Sequence, residues 1–384
     1  VRKSQLLDAG QSLIGRNVVV HVHGVSIDLR TLVSQYFRKK SSQGPDLLPS
    51  GPPPWSKEPT VVIKTRFTSL FGVAAPVMQG GMQWIGDAGL AAAVSNAGGL
   101  GTITALTFPT PEALAEQVAR CRELTDRPFA VNLTTLPSID PPPYGDYQDV
   151  IIDMGVPVVE TSGSNPATFV ETYHRAGIKV VHKATSVKHA LKAEQAGADA
   201  VAVIGFEAAG HPGELDVPLF VLLAAAAQKL TIPVLAAGGI ADGRGLTAAL
   251  ALGAEGVLMA TRFMATTEAS IHDRVKQELV ARDELQTNLI FRQLRNTARV
   301  SKNSVSDEVV SILAAGGEFG DVRALVAGRR GRTVYETGDL EAGIWWAGLS
   351  QALIHDVPTC ADLISRMVDE AEDTIAHTLA ADIA

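Results

Sequence analysis

The residues of this chain whose types suit chemistry gather in a few glycine-rich segments and one histidine loop. Gly238-Gly239 follow one apolar run, and Thr261 closes another. Paired glycine N–H groups beside a threonine hydroxyl suit a phosphate, which takes several hydrogen bonds at once. The alternative is two structural turns with no ligand. His211 stands in Gly205-Phe206-Glu207-Ala208-Ala209-Gly210-His211-Pro212-Gly213-Glu214, where small residues clear space around the ring. An imidazole titrates near neutral pH, so it can act as a general base or contact a ligand. A packed structural histidine is the plainer reading. His174, His189, His272, His355 and His377 fall on helical stretches or in the tail and read as solvated or packing residues.

Three further segments carry polar groups at the ends of apolar runs. Met78-Gln79-Gly80-Gly81-Met82-Gln83-Trp84 offers two glycines that admit a flat ligand and side chains to line it. A tight turn that needs glycine explains the same residues. Asn132 can donate to and accept from the edge of a heterocycle, and a satisfied core asparagine is the equal alternative. Lys183 suits an anionic or electron-rich ligand, or Schiff-base chemistry, or a plain ion pair. Asn96-Ala97-Gly98-Gly99-Leu100-Gly101 precedes its apolar run and reads as a structural turn. No His/Cys/carboxylate set has metal spacing, and neither a GxGxxG after the first strand nor a Walker A motif occurs. A phosphorylated flat cofactor fits these groups better than a dinucleotide bound in the Rossmann manner.

Such groups need elements to carry them. From about residue 64, short β-branched runs alternate with Ala/Leu-rich stretches. Strands are predicted at 73–79, 101–105, 128–133, 156–161, 179–184, 200–204, 233–237 and 256–260. Helices are predicted between them at 87–96, 111–124, 147–154, 166–176, 187–196, 219–229 and 243–252. Several helices end on a glycine before the next strand, as in Ala176-Gly177 and Ala196-Gly197. The strands are apolar nearly throughout, as when helices cover both faces of a parallel sheet. Eight units in succession imply an α/β fold, a (β/α)8 TIM barrel, with a doubly wound open sheet as the alternative. In a barrel the chemistry sits at the C-terminal strand ends, where all the segments above fall except the Asn96–Gly101 turn.

Three regions result. Residues 1–62 form an N-terminal extension with a Pro-rich linker, 63–268 the barrel, and 269–384 a helical cap over one barrel face. In the tail, helices are predicted at 269–283 and 361–380, with turns at Gly316–Gly320 and Gly328–Gly331. The stiff, Pro-rich loop at 136–143 is placed to gate the mouth.

The chain has 384 residues, 46% hydrophobic and 19% charged, which supports a large core and excludes wholesale disorder. Its net charge is −8, which argues against a general nucleic-acid binder. The first 60 residues are net +4 and the remainder −12. Two cysteines are too few for a disulfide framework and suit a reducing, cytoplasmic compartment. No apolar run reaches membrane-spanning length.

Taken together, the segments at Ala75–Met82, Ser95–Gly101, Gly205–Gly213, Ala236–Gly243 and Gly256–Phe263 resemble the nitronate monooxygenase family, formerly the 2-nitropropane dioxygenases. The likeness spans roughly residues 64–380. It implies FMN bound in a TIM barrel. By that resemblance Gly238, Gly239 and Thr261 hold the FMN phosphate, while Met78, Gln79, Gly80, Asn132 and Lys183 surround the isoalloxazine ring. Gly210, Ala237 and Ala260 complete the cofactor-binding set, and His211 matches the family's active-site histidine, proposed as a base. Gly80-Gly81-Met82-Gln83-Trp84, Val181-His182-Lys183, the histidine loop, Leu294–Arg299 and Gly343-Ile344-Trp345 look more like the bacterial NADH:quinone reductase branch. The implied activity is oxidation of alkyl nitronates with O2, or transfer from NAD(P)H to a quinone. An FMN-dependent enoyl reductase and a flavin-free Schiff-base lyase using Lys183 are the further alternatives. The first 60 residues match nothing in the family.

Overall fold

The computed structural model describes residues 63–135 and 141–379, together with the backbone of a hairpin formed by β1 (Val19–Val22) and β2 (Val25–Asp28). The Pro-rich linker and most of the gating loop at 136–143 lie outside the described residues.

Eight strands follow, every neighbouring pair parallel: β3 (Val77–Gln79), β4 (Gly101–Thr104), β5 (Phe129–Thr135), β6 (Val158–Gly163), β7 (Lys179–Ala184), β8 (Ala200–Ile204), β9 (Val234–Ala237) and β10 (Gly256–Met259). The sheet runs from β3 through β10 and back in descending order to β4. Closure comes through Leu100: its N–H donates to the Val77 carbonyl at 2.9 Å, and the Gln79 N–H donates to its carbonyl at 2.9 Å. The fold is therefore a (β/α)8 barrel rather than an open sheet.

Strand alternation divides the core into an inside and an outside. Met78, Leu100, Ala130, Val158, Val181, Ala202, Leu235 and Leu258 form one inner cluster with Phe67 and Phe71. Both phenylalanines come from the helix Arg66–Phe71, which begins on the Thr65 cap. It is anchored by the Arg66 backbone N–H, which donates at 2.9 Å to the buried Glu255 carboxylate at the foot of β10. Each such fully buried side chain contributes about 1.5–3 kcal/mol. The opposite strand faces pack on the surrounding helices.

Most predicted elements stand within a residue or two of their observed bounds, and the exceptions have local causes. The first strand is only Val77–Gln79, because the N–H groups of Ala74 and Ala75 turn to the Gly98 carbonyl. The helix predicted at 147–154 starts at Tyr144, directly after Pro143. The stretch 166–176 splits into a 3-10 turn, Pro166–Thr168, and the helix Val170–Arg175.

The region after residue 268 is not wholly helical. Besides the helices Asp273–Ala281, Ser304–Ala314 and Cys360–Asp373, it contains an antiparallel pair, β11 (Thr287–Ile290) and β12 (Ala298–Ser301). Gly328–Gly331 is no turn but the first turn of the helix Gly328–Thr337. There Gly331 lets the helix lie on the chain at Ile344, whose carbonyl sits 2.6 Å from where a Cβ would be.

Candidate active site

A cavity of about 1130 Å³ opens at the C-terminal ends of the strands. Gly80, Asn132, Lys183, Gly210 and His211 line it, as do Ala237, Gly238, Gly239, Ala260 and Thr261. Met78 and Gln79 do not. Met78 points into the inner core. The Gln79 amide is wholly buried: its Nε2 donates to the Thr102 carbonyl at 2.9 Å and its Oε1 accepts the Thr102 N–H at 3.1 Å. That side chain extends the barrel's closure, and both its polar atoms are used there.

Gly238 and Gly239 have φ of +102° and +74°, the left-handed region that side chains disfavour. Their N–H groups meet no acceptor among the described residues. A Cβ on Gly238 would stand 3.1 Å from the Ala208 nitrogen, so a side chain would also crowd the histidine loop. Thr261 begins a short helix at the end of β10, and its hydroxyl oxygen accepts the Gly348 N–H at 3.1 Å, which leaves its O–H to donate. Unpaired N–H groups, a free hydroxyl proton and a wall too close for side chains fit a bound phosphate.

The floor of the cavity holds a buried charge pair. Glu160, on β6, is wholly buried. Its Oε2 accepts the Gly81 N–H at 3.0 Å and the Asn132 amide at 2.7 Å. Lys183, on β7, brings its Nζ to 3.3 Å from Oε1. Gly81 is required by this packing, since a Cβ there would fall 2.3 Å from the Asn132 side chain. In the sequence Glu160 is marked only as a lone carboxylate in the apolar run Val158-Val159-Glu160. His182, also on the cavity wall, pairs through Nδ1 with the Thr161 hydroxyl at 2.9 Å. Burial, then the charges of Lys183 and His189, push its pKa down to about 4.

His211 is held by its loop rather than by a hydrogen bond to its ring. Gly210 exchanges backbone hydrogen bonds with Arg299 of β12, at 3.0 and 2.7 Å. Glu214 accepts the Thr297 N–H at 2.7 Å and its hydroxyl at 2.6 Å. The buried Arg299 guanidinium donates to the Phe206 carbonyl at 3.0 Å and lies over the Phe206 ring. The β11–β12 hairpin thus clamps both sides of the loop. The imidazole stands 6.0 Å from the Trp346 ring, centre to centre. No described residue hydrogen-bonds its nitrogens. Burial lowers its pKa below the ordinary value, and the Glu214 carboxylate opposes this. Burial thus favours the neutral ring, and both nitrogens are without a partner among the described residues.

The C-terminal region closes the site, with Asn296, Trp346 and Ser350 on the cavity wall. His189 and Lys192, exposed on the helix Val187–Gln195 as a solvated helix residue would be, also border the cavity at its rim. Among the described residues no group of three His, Cys, Asp or Glu could hold a metal.

The nitronate monooxygenase family model matches residues 64–370. The chain belongs to this family. It is thus an oxidoreductase of a family of flavin enzymes. One relative, from Rhodococcus jostii, is named (3aS,4S,5R,7aS)-5-hydroxy-7a-methyl-1-oxo-octahydro-1H-indene-4-carboxyl-CoA dehydrogenase; it is 33% identical over 80% of this chain and 96% of its own. A probable nitronate monooxygenase from Staphylococcus saprophyticus is 32% identical over 81% of this chain and 98% of its own. Among solved structures, FabK from Thermotoga maritima is 35% identical with a TM-score of 0.78, covering 83% of this chain and 99% of that one. Among the described residues no helix is long and apolar enough to cross a membrane.

Proposed function

We propose that the protein is an FMN-dependent oxidoreductase that oxidises alkyl nitronates with O2. One observation carries this reading: an imidazole whose nitrogens meet no partner among the described residues shares a cavity with a glycine cradle suited to the FMN phosphate. Gly238, Gly239 and Thr261 would hold the phosphate, with Ala237 and Ala260 beside it. Gly80, Asn132, Lys183 and Gly210 would border the ring. FMN, when bound, supplies the redox chemistry, and the protein supplies binding and orientation. His211 accepts a proton from the substrate, a task its neutral form can perform. Trp346 and the clamped loop fix the direction from which the substrate meets it.

A second reading has its own support. The cavity runs past these groups to Tyr144, Ser164, His189 and Lys192 on the rim, more room than a small nitronate needs beside a flavin. Basic groups there suit the phosphates of NAD(P)H, as in a quinone reductase, or of a CoA ester, as the name of the Rhodococcus relative suggests. A Schiff-base lyase is less favoured, since Lys183 is tied to a buried carboxylate. Two buried free cysteines, Cys121 and Cys360, fit a cytoplasmic enzyme.

Anaerobic bleaching of the flavin separates these readings. Propionate 3-nitronate bleaches it in a nitronate monooxygenase. Bleaching by NADH or NADPH alone identifies the reductase. Bleaching by an acyl-CoA alone identifies a CoA-ester dehydrogenase. Bleaching by none of them refutes all three.

A further inference from the structure

Glu160 is an expensive residue to keep where it stands. It is wholly buried, and its Oε1 has no hydrogen-bond partner; the Lys183 Nζ at 3.3 Å offers an ion pair but not hydrogen-bond geometry. Buried pairs of this kind add little net stability, because desolvation offsets much of the attraction. A packed apolar side chain would serve the barrel at least as well. What Glu160 does instead is join three strands at the cavity floor. It takes the Gly81 N–H after β3, the Asn132 amide on β5 and the Lys183 ammonium on β7. Two of these side chains, Asn132 and Lys183, line the cavity.

We propose that Glu160 is a positioning residue: it fixes Lys183 and Asn132 so that Lys183 presents a stationary charge to the flavin ring. The flavin-directed part rests on the reading of the site given above; the hold on Lys183 does not. Without the carboxylate, a lysine with four rotatable bonds spreads over the cavity and acts on the ring as a screened, averaged charge.

Two measurements test this. In flavin-free protein, acetylation of Lys183 by an activated ester, mapped by mass spectrometry, is faster in Glu160→Gln than in the unaltered chain, while Glu160→Asp stays near the unaltered rate. An equal rate in the Gln variant overturns the proposal. In flavin-loaded protein, Lys183→Met lowers the flavin reduction potential, and that shift is largely lost when Glu160 is already Gln. Equal shifts in both backgrounds mean that Lys183 acts independently, and they overturn the flavin-directed part. If Glu160→Gln does not fold, the Asp variant carries the test: its shorter carboxylate must preserve a measurable part of the Lys183 shift, and complete loss of the shift in a folded Asp variant overturns the proposal. If the unaltered chain binds no FMN, the flavin reading fails, and the acetylation rates still decide whether Glu160 holds Lys183.

Discussion

His182 makes folding stability depend on pH in a way the structure quantifies. The residue is 5% exposed, and its pKa falls from 6.5 to about 4 on folding. Above pH 6.5 the ring is neutral in both states and the shift costs nothing. As pH falls below 6.5 the unfolded chain binds a proton that the folded chain refuses, so stability drops until the folded ring also protonates near pH 4. For these two pKa values the loss at pH 5 is about 2 kcal/mol, rising to about 3 kcal/mol below pH 4. Substituting His182→Gln removes this dependence while keeping a polar group for Thr161. Urea unfolding at pH 7 and pH 5, run on both proteins, reads the difference directly. The unaltered protein must lose about 2 kcal/mol more than the variant between the two pH values. Equal losses would show that the buried ring is not held neutral, and the account of this wall of the cavity would be wrong.

Four further outcomes follow from the site. Gly239→Val puts a branched side chain at a φ of +74° against Glu207 and should abolish FMN binding, as measured by equilibrium dialysis; a variant that retains a full complement of flavin refutes the phosphate placement. His211→Asn should keep FMN and slow nitronate oxidation by about 10²–10⁴-fold, the usual worth of a positioned base. In the unaltered enzyme the same rate should rise with pH through a midpoint below the ordinary histidine value, because burial lowers the His211 pKa; a midpoint above that value contradicts a base in this environment. Arg299→Ala deletes the hydrogen bonds to Phe206 and Thr287 and should loosen the histidine loop, raising KM more than it lowers Tm; unchanged kinetics would show that the clamp does not position His211.

Much of this architecture is legible in the sequence because the barrel repeats a simple pattern. Apolar runs such as Ala200–Ile204 are buried on both faces and cannot be mistaken for exposed strands, and the helix Pro111–Leu124 begins on a Thr-Pro cap and a first-turn glutamate. The strand-end glycines also announce themselves, since Gly238 and Gly239 adopt backbone angles that other residues avoid. The β11–β12 hairpin was hidden for the opposite reason. Its connection turns at Phe291 and Arg295, with φ of +63° and +54°, and carries no glycine to mark it. Gln79 reads as a ligand contact because it ends a barrel strand, yet its amide completes a ladder to Thr102 that only the closed barrel creates. Glu160 escaped notice because its meaning depends on Gly81, Asn132 and Lys183, which lie on three other segments and meet only at the floor of the cavity.

The visible absorption spectrum of the purified protein, with mass analysis of any cofactor released on denaturation, reads directly whether the barrel carries FMN. Flavin bands in the blue, one FMN per chain, and their loss on anaerobic addition of propionate 3-nitronate are the predicted result. A colourless protein that takes up no FMN when it is supplied would contradict the account at its root.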